Sequence, residues 1–208
     1  MSKLDLMYTK DDNFYENLLG IETLHNEEEN YTKGHFAPYV PSSYHFLKMY
    51  FDSNPIGEND CFVDFGCGKG RVSIFVNYLF HCSSVGIEYD IALHQKAIKN
   101  KEGYEAIHGK QSIDFIYGNA ELIPIEEKFN VFYFYNPFSV LIFFRVMRNI
   151  LKIKRKQSFD VIMFRPIKPY ISVIESIKGF KLIKKERFES FDSVRNDIEF
   201  YLYRYTQN

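Results

Sequence analysis

The sequence predicts an α/β fold: a seven-stranded, mostly parallel, doubly wound sheet with a C-terminal antiparallel hairpin and an N-terminal helical cover. From Cys61 onward, short runs of β-branched and aromatic residues alternate with single helical segments, the pattern of right-handed βαβ crossovers with helices on both faces of the sheet. The last two runs, "GFKLIKKERF" and "DIEFYLYRY", have no helix between them and alternate in polarity, so they pair as a hairpin that closes the sheet. A chain of 208 residues with 46% hydrophobic content buries one sizeable core and leaves little for a second domain. Residues 1–208 are therefore read as a single domain, with the cover over 1–56 and the α/β body over 57–208.

Taken in order, residues 11–30 are acidic and weakly helical, and Gly34, Pro38 and Pro41 precede an apolar-periodic run over 44–51. "CFVDF" at 61–65 is the first strand, followed by a helix over 69–80 and the strand "SVGIE" at 84–88. A helix over 91–100 leads to the strand "IDFIY" at 113–117, and "VFYFY" at 131–135 is the fourth strand. A helix over 140–151, the strand "DVIMF" at 160–164 and a helix near 170–177 complete the parallel part. The polar residues around 189–197 form the hairpin turn.

Charge and composition narrow the function. Lys plus Arg number 26 against 27 Asp plus Glu, so the chain has no general field for capturing phosphate backbones, and a nucleic-acid partner would need a local patch. The run "LKIKRKQ" reads as the solvated end of a helix, where cations meet the helix dipole favourably. Cys61, Cys67 and Cys82 form no C-x-x-C pair, and an odd count without a signal peptide implies reduced thiols and a cytoplasmic location. The most apolar stretch, "FNVFYFYNPFSVLIFF", is broken by Asn136, Pro137 and Ser139, so no membrane span or membrane partner is expected. His25, His35, His45, His81, His94 and His108 are scattered without metal-ligand spacing, so no metal is expected; His35 alone is a candidate proton acceptor.

The chemistry concentrates in "VDFGCGKGRV", residues 63–72. Asp64 and Gly66 fall where the first strand ends and Gly70 where the first helix begins, the place where open parallel sheets bind ligands. Glycines here can simply make a tight turn. The dinucleotide fingerprint G-x-G-x-x-G would put its third glycine at 71, where Arg71 stands. The spacing is instead D-x-G-x-G-x-G, and a carboxylate two residues before the first glycine suits a cationic amine better than a pyrophosphate.

This stretch resembles the first motif of seven-strand, class I S-adenosylmethionine (SAM) methyltransferases. The resemblance implies SAM as cofactor, with Asp64, Gly66, Cys67, Gly68 and Gly70 shaping the methionine pocket. It puts Glu88, at the end of "VGIEYD", on the ribose hydroxyls, and Asn119 with Ala120, in "IYGNAE", at the adenine.

"FYFYNPFSV" bears on the acceptor. Asn136, Pro137 and Phe138 resemble the Asn-Pro-Pro-aromatic motif of amino-group methyltransferases, in which the Asn oxygen and a proline carbonyl hold the target nitrogen. Phe138 replaces the second proline and Ser139 the aromatic, which weakens the case for a purine or pyrimidine acceptor. "YVPSSYHFLKMYF" is similar to the Tyr-x-Pro-[Ser/Thr] loop of seven-strand lysine methyltransferases acting on a nucleosomal histone and on the c-subunit of ATP synthase. In those families the loop folds over SAM, which implies a part for Tyr39 and Ser42 at the methionine end. The expected activity is methyl transfer to an amine nitrogen, with a protein lysine, a small molecule or a nucleic acid as acceptor. Two alternatives stand beside it: a small-molecule O-, N- or C-methyltransferase in which "NPF" only walls the pocket, and a non-catalytic SAM-binding module acting through protein contacts.

Overall fold

The computed structural model of the protein describes residues 10–24, 37, 39–153, 157–189 and 197–206. Helices α1 (Lys10–Leu19) and α2 (Tyr44–Ser53) precede a regular alternation: β1 (Cys61–Phe65), α3 (Arg71–Phe80), β2 (Ser83–Glu88), α4 (Ile91–His108) and β3 (Ile113–Tyr117). It continues through β4 (Val131–Phe134), α5 (Val140–Lys152), β5 (Phe159–Phe164), α6 (Lys168–Ser176), β6 (Phe180–Phe188) and β7 (Ile198–Tyr205). The seven strands form one sheet in the order β3-β2-β1-β4-β5-β7-β6. Pairings from β3 through β5 are parallel, whereas β7 runs antiparallel to both β5 and β6. The expected seven-stranded mixed sheet with its terminal hairpin is the observed one.

Burial follows from position in the sheet. Every residue of β1 and β4 is buried, as befits central strands covered on both faces, while the edge strand β6 is largely exposed and irregular between Leu182 and Lys184. One core cluster, including Phe75, Tyr44, Tyr50 and Phe200, fills the face that carries α1 to α4. The other, including Phe134, Phe143, Met147 and Tyr170, lies under α5 and α6. On α5 the stripe Ile142, Phe143, Val146, Met147 and Ile150 repeats at helical spacing and is buried.

Several helix boundaries differ from the sequence expectation, and those of α1, α3 and α4 have a local cause. Helix α3 begins at Arg71 rather than 69, because Gly70 holds a left-handed φ of 85° and cannot join the helix. Helix α1 stops at Leu19, followed by Gly20 at φ 67°. Helix α4 runs on from Asn100 to His108 despite Gly103, since that glycine is where the segment after α1 lies against it; a Cβ on Gly103 would be 2.3 Å from the Gly20 carbonyl oxygen. Among the described residues, no helix is long and apolar enough to cross a membrane. The candidate proton acceptor His35 and the cations Lys154, Arg155 and Lys156 of "LKIKRKQ" lie outside the described residues.

Candidate active site

The chain reverses its direction across the sheet between β1 and β4: β2 and β3 extend from one side of β1, β4 and β5 from the other. At such a switch point the loops leaving the strand ends diverge and open a crevice. A cavity of about 590 Å³ occupies it, within the range of small-molecule sites.

The glycine loop forms its floor. The Gly66 and Cys67 N–H groups both donate to the Ile87 carbonyl at the end of β2 (2.8 and 3.1 Å), which ties the loop to the neighbouring strand. Gly66 (φ 77°) leaves room for Pro137, whose Cβ would lie 2.4 Å from an added Cβ, and Gly68 (φ 56°) leaves room for the Tyr39 ring. Cys67 is a small buried side chain in the wall. Gly70, expected in the methionine pocket, does not line the cavity; it is the N-cap residue before α3.

Two buried carboxylates face this floor. The Glu88 carboxylate accepts from the Gly68 N–H and the Asp90 N–H, both at 2.8 Å, one on each oxygen. The Tyr89 backbone also donates to this carboxylate, and its roughly four lone-pair sites still leave acceptor capacity for a hydroxyl. Burial raises the Glu88 pKa, against the backbone donors that lower it. Asp64 is 3% exposed, and its carboxyl is pushed up to about 8, first by burial and then by the charge of Glu88. A carboxylate held at that cost in the cavity wall suits a cationic ligand group. Asp90 caps α4, accepting from the Ala92 and Leu93 N–H groups, and so fixes the turn after Glu88. Val72, Ile87 and Leu93 add apolar wall, and Gly118 and buried Ala120 line the end reached from β3. Asn119 does not line the cavity; its side-chain oxygen accepts from the Glu121 N–H at 3.0 Å, so it shapes the turn that presents Ala120.

The turn after β4 closes the opposite side, and Asn136, Pro137 and Phe138 all line the cavity. Asn136 takes a left-handed φ of 44°. Its amide nitrogen donates to the Arg165 carbonyl at 2.8 Å, and its amide oxygen accepts from the Ile167 N–H at 3.2 Å, bracing the turn against the one after β5. The Pro137 carbonyl accepts from Ala37, and the Phe138 carbonyl accepts from the Tyr170 hydroxyl at 2.6 Å. Tyr133 and Tyr135 extend this wall with aromatic surface.

The N-terminal cover supplies the remaining wall through Ala37 and residues 39–42. The Tyr39 hydroxyl donates to the Thr23 carbonyl at 2.7 Å, and the Ser42 hydroxyl lies 3.2 Å from that of Tyr133. Behind them is a cluster that reading the sequence missed. Arg71, 2% exposed, donates to the Thr23 hydroxyl, the Asp12 carboxylate, the Ser42 carbonyl and the Glu16 carboxylate (2.5, 2.7, 2.9 and 3.3 Å). Arg71 registered in the sequence only as the residue that breaks the dinucleotide fingerprint; the usable signal was Asp12 and Glu16, four apart on one face of a short helix. Among the described residues, no group of three or more His, Cys, Asp or Glu gathers as a metal site.

A parallel sheet with this switch point, a D-x-G-x-G-x-G floor and an acid at the end of β2 define a class I SAM-dependent methyltransferase, and S-adenosyl-L-methionine is its cofactor. The chain belongs to the family described as "Histone methylation protein DOT1", whose sequence model matches residues 20–128. That stretch holds the glycine loop and Glu88 and ends before the Asn136 turn. No curated protein matches the sequence. Among solved structures, an RNA methyltransferase from Salinibacter ruber, in complex with S-adenosyl-L-homocysteine, aligns with a TM-score of 0.62 at 18% identity, over 81% of this chain and 95% of that one. The putative methyltransferase yhhF from Escherichia coli aligns at 0.59 and 14% identity, over 81% and 89% of the two chains. A geranyl diphosphate methyltransferase aligns at 0.55 and 12% identity, over 77% and 78%. At these identities the likeness is one of fold.

The cavity fits the cofactor. The missing side chains at 66 and 68 let Pro137 and Tyr39 close against the floor, Glu88 would have acceptor capacity for the ribose hydroxyls, and Asp64 would face the ammonium group.

Proposed function

We propose that the protein methylates an amine nitrogen, the side-chain amine of a lysine in a protein chain. The observation that carries this reading is the Asn136–Pro137–Phe138 turn, packed on Gly66 and lining the same cavity as the two carboxylates. The family's description as histone methylation proteins agrees with it. An aromatic wall of Tyr133, Tyr135 and Phe138 suits a methylene stem that ends in a cation.

The cofactor supplies a methyl group on a positively charged sulfur that leaves as a neutral thioether, so the chain has only to align the acceptor, exclude water and receive a proton. The Asn136 amide oxygen and the Pro137 carbonyl are the acceptors for the amine hydrogens in this reading. Each already accepts one backbone N–H, from Ile167 and Ala37, and each has a second lone pair. Tyr39 and Ser42 close the methionine end, and Ala120 leaves space for the adenine. The protein acts as one domain, the cover contributing wall to a site built on the sheet.

The test is incubation with methyl-tritiated SAM and, separately, core histones, a lysine-rich peptide, bulk RNA and a panel of small amines. Label on lysine is the expected result. Label on RNA or small molecules alone overturns the acceptor assignment and leaves the cofactor assignment standing. A second reading has one observation in its favour: both ends of the Asn136 amide are bonded to the β5–α6 turn, which suits a pocket wall for a small acceptor.

A further inference from the structure

We propose that Arg71 is a positioning residue, the centre of a buried latch that holds the N-terminal cover on the glycine loop and sets the rate at which cofactor leaves. Its guanidinium joins three separate pieces of the cover. Asp12 and Glu16 come from α1, Thr23 from the segment after it, and the Ser42 carbonyl from the segment that walls the cavity. The Tyr44 ring lies 4.4 Å below the guanidinium carbon, and its hydroxyl donates to Glu16 at 3.0 Å. The Thr23 N–H and hydroxyl both bond the Glu16 carboxylate.

The wall of residues 39–42 is thus held at both ends by groups that meet at Arg71. At one end the Tyr39 hydroxyl bonds the Thr23 carbonyl, and at the other the Ser42 carbonyl bonds Arg71 itself. Arg71 follows Gly70 directly, so the latch is continuous with the loop against which the Tyr39 ring rests. Lys69, on the same loop, adds a bond from its ammonium to the Leu24 carbonyl at 2.9 Å.

Stability alone is a poor reason for this arrangement. Burying ions costs about as much as their attraction returns, and apolar side chains of similar volume hold helices together as well or better. What a guanidinium adds is direction: five N–H donors in a rigid fork fix the register of every segment they touch. Two carboxylates face the one guanidinium, so removing one leaves the charge paired but frees an arm of the fork, and the register that arm fixed is released so that the cover opens. Opening displaces residues 39–42 and widens the cavity mouth.

Asp12 and Glu16 do not line the cavity, so they test the latch without touching the ligand. Tritiated S-adenosylhomocysteine is loaded on the protein, and its release is followed after a chase with excess unlabelled ligand. Asp12→Asn and Glu16→Gln are expected to speed release by about tenfold, equivalent to about 1.4 kcal/mol. Asp12→Asn is the gentler change if Glu16→Gln does not fold, because the Glu16 carboxylate also accepts from the Tyr44 hydroxyl and from the Thr23 N–H and hydroxyl. Release at the wild-type rate in a folded variant, even one with a lower Tm, overturns the proposal and leaves the cluster a purely structural one. Hydrogen exchange on the unaltered protein is the second arm: S-adenosylhomocysteine is expected to protect the amides of α1 together with those of residues 39–42. No gain of protection in α1 also overturns it.

Discussion

The Tyr39 ring lies so close over Gly68 that a Cβ on the glycine would stand 2.3 Å from the Tyr39 Cε2 atom. Cover and floor therefore touch where the floor has no side chain. Gly68→Ala is expected to displace the ring and to cost a further 1–2 kcal/mol, roughly, because Gly68 sits at φ 56°. Calorimetric titration with S-adenosylhomocysteine should show affinity reduced more than about tenfold. In a Tyr39→Ala background the clash is absent, so the further loss caused by Gly68→Ala should be smaller there than in the wild type. Equal losses with and without the ring would mean that the contact plays no part in binding.

Asp64 gives a pH dependence whose sign is fixed. Its carboxyl titrates near 8 in the folded chain against an ordinary value of 3.8, so ionising it in place is unfavourable. Its contribution to stability is fully present below the ordinary value and is lost as pH rises through about 8. Asp64→Asn is expected to raise Tm relative to wild type at about pH 9, and to do so much less at about pH 4, while weakening cofactor binding chiefly at the higher pH, where the wild-type group is ionised.

The same group couples binding to protons. At about pH 7 Asp64 is largely protonated in the free protein, and a cationic amine favours its ionised form. S-adenosylhomocysteine should therefore release a proton on binding, seen as a heat that varies with the ionisation enthalpy of the buffer. Buffer-independent heats would remove Asp64 from the ammonium site.

Glu88 joins the loop and the start of α4 through one carboxylate, and in the proposed reading it also holds the ribose. A hydrogen bond to a charged group contributes about 1.5–3 kcal/mol, so Glu88→Ala is expected to raise the Kd for S-adenosylhomocysteine by roughly tenfold to a hundredfold. Glu88→Gln, which keeps an oxygen for the Gly68 N–H, should fall between the two.

Asn136 separates chemistry from binding. Asn136→Ala removes both bonds to the β5–α6 turn and strains a left-handed position, whereas Asn136→Gly removes the bonds without the strain. Both should lower kcat and leave the affinity for S-adenosylhomocysteine nearly intact, with Asn136→Gly the more stable. Wild-type turnover in Asn136→Gly would show that the amide is dispensable.

Much of this was legible in the chain. Hydrophobic period and turn residues located every strand of the sheet and the final hairpin, because strands buried on two faces and helices buried on one leave distinct patterns in sequence. The position of the floor was legible too: Asp64, the glycines and Glu88 are consecutive or stand at strand ends, and the switch point brings Asp64, Gly66, Gly68 and Glu88 to one cavity. The misplaced ends of α1 and α4 reflect forces the pattern does not carry. Gly103 is tolerated inside α4 because another segment needs its missing side chain.

What the sequence determined by itself was the sheet, its switch point and the residue types at the cofactor floor, all of which depend on neighbours in the chain. Only the tertiary structure decided that Asn119 turns the backbone, that the Asn136 amide braces the strand beyond it, and that Arg71 gathers Asp12, Glu16, Thr23 and Ser42. Those outcomes depend on which distant group reaches a given donor first, with separations of 29 to 59 residues between Arg71 and its partners. A buried guanidinium takes whatever acceptors the fold brings to it, and no local pattern records which ones those are.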